Sequence, residues 1–374
     1  MSDEDLARAL RVIPGGSSTS AKSPLRTGMA VFASSAHGCV FNDTDGRSWI
    51  DWDMALGTVV WGHSRREIVE AIEAQCRSGI LYTVPAHLEF QVAEQILERL
   101  DSFASLQFFK SGSESTSAAV RLARAATGRT DIVCGTYHGW HDWAAFHHYG
   151  GRPSLGIPEG RYVRWAQRET FDAFCAVIAG AAAAIACPEH WSVDDLRRLR
   201  AECTLRGTLL VFDEVKAGIR FSARGVFGAV GVTPDLICMS KGLANGMPLA
   251  IVAGSRELMQ LCRDTAITGT HAGECLSLAS AAACERLLRD SAWPPWDAAA
   301  REVMRRASDT IREVGAPLAV EGYPGCFGLT GATGLREHLA SRGMFSLGWI
   351  LPSAAHEPEH FAALADALDQ FIRK

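Results

Sequence analysis

Short apolar runs alternate with helical segments through the middle of the chain, and this alternation constrains the fold most. The runs have the length and composition of buried strands: LQFF (106–109), DIVCG (131–135), AAAAIACP (181–188), TLLVFDEV (208–215), PDLICMSK (234–241) and PLAIVAG (248–254). Segments with helical spacing, such as 115–127 and 193–207, lie between them. Strands that alternate with helices pair in parallel through crossover helices. We therefore expect an α/β fold with helices flanking a mainly parallel sheet.

The segments on either side of this region predict a second, smaller domain. Residues 11–35 are rich in Gly, Ser and Pro and predict an extended arm, and residues 39–52 predict a hairpin. The tail from about 280 is mainly helical with weaker strand signals. We expect three segments: 1–45 as an N-terminal arm and part of the small domain, 46–275 as a large domain, and 276–374 as a C-terminal small domain of α+β type.

Composition excludes several classes of partner. The net charge is −5 at pH 7, which gives no electrostatic basis for binding nucleic acid or an anionic membrane. No apolar run reaches the length of a membrane-spanning helix, and the acidic start MSDEDLARALRVI lacks the pattern of a signal peptide. The 11 cysteines form no CxxC pair and no His/Cys cluster. We therefore expect no metal site, no disulfide scaffold and a cytoplasmic location.

Polar residues follow three of the predicted strands, at the edge where an open α/β sheet binds ligands. SGSES (111–115) lies between a strand and a helix, Asp213 ends TLLVFDEV, and Lys241 ends PDLICMSK. Each has an ordinary structural explanation. Gly112-Ser113 could cap a helix, Asp213 could be a cap or a salt-bridge partner, and Lys241 could be a partly exposed loop lysine.

Taken together, these residues provide the parts of a pyridoxal phosphate site. A lysine amine forms a Schiff base with the aldehyde of this cofactor. A carboxylate pairs with the protonated pyridine nitrogen and keeps the ring an electron sink. Backbone N–H groups at the start of a helix, with the Ser113 hydroxyl, bind phosphate without a basic side chain. The sequence therefore predicts a pyridoxal-phosphate enzyme with Lys241 and Asp213 as its catalytic residues.

The same motifs resemble those of the class III pyridoxal-phosphate aminotransferases, especially the glutamate-1-semialdehyde 2,1-aminomutase subgroup. The resemblance covers most of the chain and is carried by PLR (24–26), DGRSWIDW, GH (62–63), FFKSGSESTSAAVRLARAATGR, YHG, VFDEV, GVTPDL, SKGLANGMPLA, GT (269–270) and SAAH (353–356). It implies the fold-type I architecture, with a seven-stranded, mainly parallel sheet in the large domain. It also implies pyridoxal 5′-phosphate as the cofactor and a homodimer as the active unit.

The resemblance implies a role for each matching residue on the cofactor side. Lys241 would bind the cofactor and carry the proton of the 1,3-shift, and Asp213 would bind the pyridine nitrogen. The other implied cofactor contacts are Gly112 and Ser113 at the phosphate, Tyr137 and Val215 on opposite ring faces, His138 shaping the site, Glu214 on the O3′ side, and Thr270 at the phosphate of the neighbouring subunit. A purely structural histidine remains the alternative for His138.

The substrate side matches the family less closely. Arg26 matches an arginine that meets a substrate carboxylate in aminomutases, and Trp61 falls in a segment that lines the substrate pocket. The alternatives are a surface arginine on the arm and a core aromatic. The sequence departs from the family pattern at several places: Cys187-Pro188 replaces a Glu-Pro pair, Glu274-Cys275 replaces Asn-Pro, Gly348 stands where aminomutases tend to have a glutamate, and the segment 326–336 is short. These departures weaken the aminomutase assignment more than the cofactor chemistry.

The leading hypothesis is an aminotransferase of class EC 2.6.1.-. It would move an amino group from an amino-acid donor, with glutamate as first candidate, to an aldehyde or ketone acceptor through the Lys241 Schiff base and pyridoxamine phosphate. The phrase KGLANGMPLA resembles the branch that aminates aldehydes or sugar-derived carbonyls, which suggests antibiotic or surface-sugar biosynthesis. The alternative is an intramolecular 2,1-aminomutase of class EC 5.4.3.-.

Two further hypotheses belong to other classes of protein. A non-catalytic relative that only binds a ligand is disfavoured by the intact Lys241, Asp213 and Ser113. A nucleotide-binding oxidoreductase is disfavoured because no GxGxxG motif follows the predicted strands.

Overall fold

The computed structural model describes residues 3–148, 163–165 and 171–374. Its internal contacts divide the chain into two compact units, one made of Met1–Arg66 with Pro295–Lys374 and the other of Glu67–Pro294. The domain limits at 45 and 275 expected from sequence stay predictions. Among the described residues, no helix is both long and apolar enough to cross a lipid bilayer.

The helices and strands are numbered here in chain order. The N-terminal part of the first unit contains α1 (Asp3–Val12), α2 (Pro24–Thr27), β1 (Ala33–His37), β2 (Val40–Asp43), β3 (Ser48–Asp51) and the single turn α3 (Met54–Gly57). The following segment contains α4 (Arg66–Ser78), α5 (His87–Arg99), β4 (Ser105–Phe109), α6 (Gly112–Thr127), β5 (Ile132–Cys134), α7 (Asp142–His148), β6 (Val163–Trp165), α8 (Phe171–Ala176), β7 (Ala183–Ala186), α9 (Val193–Arg206), β8 (Leu209–Asp213), α10 (Gly218–Phe221), α11 (Gly225–Val230), β9 (Leu236–Met239), β10 (Ala250–Gly254), α12 (Arg256–Asp264) and α13 (Cys275–Arg289). The C-terminal part contains α14 (Asp297–Val314), β11 (Ala319–Tyr323), β12 (Cys326–Thr330), α15 (Leu335–Ala340), β13 (Met344–Phe345) and α16 (Pro358–Ile372).

The first unit contains a sheet of order β1-β2-β3-β13 and a separate β11–β12 hairpin. The predicted hairpin over 39–52 is confirmed, because β2 and β3 pair in antiparallel register. The arm over 11–35 is less extended than predicted, since it holds two short 3-10 turns, α2 and part of β1. Prolines explain this difference: Pro14 and Pro24 occupy first helical positions, where a fixed φ and a missing N–H favour a helical turn.

The second unit contains a seven-stranded sheet of order β4-β10-β9-β8-β7-β5-β6. Strands β9, β8, β7, β5 and β6 pair in parallel, whereas β10 runs antiparallel to both β9 and β4. Residues 240–249 connect β9 to β10 by a turn too short to hold a crossover helix, so β10 reverses direction. The predicted mainly parallel α/β sheet is therefore confirmed.

Helix α6 packs on this sheet and begins where a capping box fixes its first turn. Ser111 Oγ accepts from the Glu114 N–H, and the Glu114 carboxylate accepts from the Ser111 N–H at 2.8 Å. The helix therefore begins at Gly112, three residues before the predicted start at 115. Its buried face is made of small and branched apolar residues: Ala118, Ala119, Val120, Leu122 and Ala123. This capping places Gly112 and Ser113 at a helix N-terminus that follows β4.

Candidate active site

Asp213 stands at the carboxyl end of β8, where two hydrogen bonds fix its carboxyl group. His138 Nδ1 lies 2.7 Å from Asp213 Oδ2, and the Val215 N–H donates to Oδ1 at 3.1 Å. Both His138 and Asp213 are buried. The second ring nitrogen of His138 lies 3.2 Å from Thr136 Oγ1, so the imidazole is held on both sides. The carboxyl of Asp213 is therefore oriented at the carboxyl-terminal edge of the parallel strands, where open α/β sheets bind ligands.

The start of α6 and the loop at 137–140 approach each other closely enough to require glycine. A Cβ added at Gly112 would lie 2.6 Å from Val215 Cγ1. Gly139 has φ +110°, and a Cβ there would lie 2.5 Å from Ser113 Oγ. The Trp140 N–H donates to the same Ser113 oxygen at 3.3 Å. This glycine-lined cradle at a helix N-terminus fits a phosphate group, because backbone N–H groups can reach the anion directly.

Lys241 begins the 3-10 turn Lys241–Ala244 that follows β9. Its φ is +41°, a left-handed conformation that costs an ordinary residue about 1–2 kcal/mol. Ser240 supports the turn, since its hydroxyl donates to the Leu249 carbonyl at 2.8 Å. Lys241 is half-buried, whereas the other three residues of the turn, Gly242–Ala244, are buried.

Glu214 directs its carboxyl toward helix α11. Its two oxygens accept from the Val226 N–H at 2.7 Å and the Phe227 N–H at 2.8 Å. Burial raises the pKa of the Glu214 carboxyl to about 8, and these two hydrogen bonds oppose the rise. Its expected support of the cofactor O3′ side stays a prediction, since both oxygens already bind backbone amides.

Tyr137 and Val215 lie beside the two halves of the site. Tyr137 is exposed and directly precedes the buried His138. Val215 is half-buried, contacts the core of the sheet and approaches Gly112. Their expected positions on opposite faces of the cofactor ring stay predictions.

The remaining predicted residues lie elsewhere on the chain. Thr270 is exposed, in the segment between α12 and α13, and its contact with a neighbouring subunit stays a prediction. Arg26 and Trp61 belong to the first compact unit, whereas the residues above belong to the second. Arg26 is exposed and its Nη1 donates to Ser20 Oγ at 3.3 Å, and Trp61 is buried. Their substrate roles stay predictions.

Sequence reasoning missed an ion pair between the loop before α6 and the N-terminus of α13. Lys110 Nζ lies 3.0 Å from Glu274 Oε2, and Glu274 also accepts from backbone amides at the start of α13. Burial alone raises the pKa of Glu274, but hydrogen bonds from Ser277 and Lys110 bring that pKa below its usual value. The unusual glutamate at position 274 was a visible signal, and its charge partner was not. The pair ties the segment carrying Thr270 to the segment carrying Gly112.

Cys187, the residue that departs from the family's Glu-Pro pair, lies next to the Asp213–His138 pair. It follows β7, the strand that neighbours β8. Its Sγ lies 3.4 Å from Thr136 Oγ1 and 4.0 Å from His138 Nδ1. Burial raises the pKa of this thiol well above its usual value, so the sulfur is neutral.

The chain is similar to known proteins over most of its length. The family model described as aminotransferase class-III matches residues 22–145 and 161–321. Glutamate-1-semialdehyde 2,1-aminomutase of Methanothermobacter thermautotrophicus is 30% identical, over 99% of this chain and 98% of the relative. The protein of the same name from Roseiflexus castenholzii is 32% identical, over 77% of this chain and 72% of the relative.

Solved structures agree with these relatives. A structure described as a transaminase with PLP bound matches with a TM-score of 0.89 at 25% identity, over 99% of this chain and 96% of that one. The PLP internal aldimine form of the FumI protein of Sphingopyxis sp. MTA144 matches with a TM-score of 0.87 at 27% identity, over 99% and 95%. The predicted fold-type I architecture and the cofactor, pyridoxal 5′-phosphate, are confirmed. The chain belongs to the class III aminotransferase family of pyridoxal-phosphate enzymes, and within it is similar to the glutamate-1-semialdehyde aminomutase subgroup.

Proposed function

We propose that the protein is an aminotransferase that moves an amino group from an amino-acid donor to an aldehyde or ketone acceptor. The observation that carries the proposal is the buried Asp213–His138 pair at the end of β8, since the neighbouring strand β9 leads directly to Lys241. Pyridoxal 5′-phosphate, when bound, supplies an aldehyde and a ring that withdraws electrons from the carbon carrying the amino group.

Asp213 would hold the pyridine nitrogen. Two fixed hydrogen bonds orient its carboxyl, so little reorganisation is needed when positive charge is placed against it. His138 acts through Asp213 as a positioning residue, because its Nδ1 contacts the carboxyl directly.

The start of α6 would hold the phosphate through its N-terminal amides and the Ser113 hydroxyl. The absence of a side chain at Gly112 and at Gly139 keeps this cradle open. No lysine or arginine is needed here, because the helix N-terminus carries partial positive charge.

Lys241 would bind the cofactor aldehyde through its amine and then move a proton between the substrate carbon and the cofactor C4′ atom. Its place in the turn after β9, the strand next to the one that ends in Asp213, supports this role. The left-handed turn at Lys241 is the kind of backbone strain that clusters at active sites, which supports this role.

A homodimer with Thr270 contributed across the interface is part of the proposal, as is a cytoplasmic location. The exposed position of Thr270 supports the homodimer. So does a group of large apolar side chains exposed in the second unit: Ile80, Leu81, Tyr82, Val84 and Phe90.

A glutamate-1-semialdehyde-type 2,1-aminomutase is the second candidate. The relatives of that name, one of them matched over almost its whole length, favour it. The same residues would serve both reactions. In the aminomutase reaction the amino donor and acceptor are parts of one molecule, and in the aminotransferase reaction they are two molecules.

A single-turnover assay tests the proposal. Holoenzyme mixed with an amino donor and no acceptor should release about one keto acid per active site, with bleaching of the bound cofactor. Glutamate and a panel of other amino acids should be tried as donors, each with the Lys241→Ala protein as the blank. Conversion of glutamate-1-semialdehyde at wild-type aminomutase rates, with no keto acid from any donor, would instead establish the second candidate.

A further inference from the structure

Glu189 is a buried acid that the proposed function does not use. It lies in the 3-10 turn Pro188–His190, directly after β7. Its side chain is only 3% exposed, and its Oε2 has no hydrogen-bond partner among the residues that the structure describes. Burying a carboxyl oxygen without a partner is costly, so this atom needs a partner from outside the described residues, either a bound molecule or a water.

Cys187 is a neighbour of both Glu189 and Asp213. One side-chain N, O or S atom each of His138, Cys187 and Asp213 lies within 4.8 Å of the others, and the same is true of Cys187, Glu189 and His190. Because Cys187 belongs to both groups, Glu189 is separated from the Asp213–His138 pair by a single side chain. A molecule bound at Asp213 therefore lies close to Glu189.

The charged groups around Glu189 come from neighbouring strand ends. The charges of Lys216, Asp213 and Lys241 shift the pKa of the Glu189 carboxyl. The charge of Glu189 in turn raises the pKa of Glu214, and His190 Nε2 lies 3.8 Å from Glu189 Oε1. Helix α11, which also contacts this turn, has the sequence GVFGAV and adds no charge. Cys187 is a neutral thiol.

Burial raises the pKa of the Glu189 carboxyl to about 7. A backbone hydrogen bond and the positive charges of Lys216 and Lys241 oppose this rise, and the charge of Asp213 adds to it. The carboxyl is therefore neutral in mildly acidic solution and ionises as the pH rises through neutrality. A neutral carboxyl has an O–H that can donate, and a carboxylate only accepts.

We propose that Glu189 is a hydrogen-bond donor of the active site, and that its neutral carboxyl holds a negatively charged oxygen of the bound molecule. The oxygen belongs either to the cofactor ring or to a carboxylate of the substrate. Ionisation of Glu189 removes the donor and places negative charge against that oxygen, so binding weakens as the pH rises. Any effect of Glu189 on turnover rests on the proposed function, whereas its effect on ligand binding does not.

The test compares binding across pH in three proteins. Wild type, Glu189→Gln and Glu189→Leu are titrated between pH 6 and 9 with pyridoxal 5′-phosphate, added to apoenzyme, and separately with acetate, added to holoenzyme as a carboxylate probe. In the titration whose ligand supplies the oxygen, the affinity of wild type should fall about tenfold between pH 6 and 9. The glutamine amide donates at every pH, so the affinity of Glu189→Gln should not show the fall expected for wild type. Glu189→Leu has no donor and should bind weakly at every pH. Glu257→Gln, which alters an exposed acid on α12, should follow wild type.

The two arms identify the source of the oxygen. A Glu189-dependent loss in the cofactor arm assigns it to the ring, and a loss in the acetate arm assigns it to the substrate. If wild type and Glu189→Gln have parallel pH profiles in both arms, the inference is wrong. If the Glu189 variants do not fold, Lys216→Met decides, because removing that charge should shift the wild-type midpoint to higher pH, and an unchanged midpoint overturns the inference. A Glu189-dependent titration with no keto acid from any donor would refute the proposed function alone.

Discussion

Replacing Lys241 with alanine is expected to lower turnover by more than about 10³-fold. In the proposed mechanism the Lys241 amine binds the cofactor aldehyde and carries the proton, and general acid–base catalysis alone contributes about 10²–10⁴-fold. The left-handed φ of Lys241 is no obstacle to a folded variant, because alanine has a smaller side chain at the same strained position. Single-turnover release of keto acid, measured with purified protein, checks this.

The matched controls use the same residue type. Lys241→Arg keeps the positive charge but lacks a nucleophilic amine, so it should be as inactive as Lys241→Ala. Lys22→Ala, at an exposed lysine of the first unit, should keep wild-type turnover. Full turnover by Lys241→Ala would remove Lys241 from the mechanism.

Replacing Asp213 with asparagine is expected to lower turnover by about 100-fold or more. Asparagine keeps the shape and can still accept from the Val215 N–H, but it removes the negative charge that would face the pyridine nitrogen. The loss should fall on kcat and cofactor affinity, with the thermal unfolding midpoint close to wild type. A variant with wild-type kcat would show that Asp213 is a structural carboxyl only.

The Asp213–His138 contact gives this prediction an internal check. His138→Asn alone should cost about tenfold, since the carboxyl loses a buried partner at 2.7 Å but keeps its charge. Residues that act as a unit are not additive, so the double variant should be little worse than Asp213→Asn. Additive losses would mean that His138 acts independently of Asp213.

The sequence predicted the sheet, and it led to the candidate catalytic residues for a related physical reason. Apolar runs as distinct as LLVFD and LICM indicate buried parallel strands, and polar residues at their carboxyl ends indicate a ligand site. Gly112 and Ser113 were recognisable because a strand, a glycine and a helix follow one another within a few residues. These signals are local, so one chain is enough to detect them.

The features that sequence did not predict depend on contacts between distant residues or on local burial. Lys110 and Glu274 are 164 positions apart, and the local sequence around either residue does not indicate the contact. The two hydrogen bonds from Glu214 to the backbone amides of α11 depend on how that helix packs. Glu189 follows a strand and a proline, which is a visible signal, but its unpartnered oxygen appears only once the side chain is buried.

Reduction of the holoenzyme with borohydride, followed by digestion and peptide mass spectrometry, tests the central claim most directly. The reagent fixes the cofactor covalently to whichever amine holds it, and the lysines of the chain are Lys22, Lys110, Lys216, Lys241 and Lys374. The account predicts about one pyridoxyl group per protomer, on the peptide that contains Lys241. A label on Lys110 or Lys216 instead, or cofactor-saturated protein that takes no label, would contradict it.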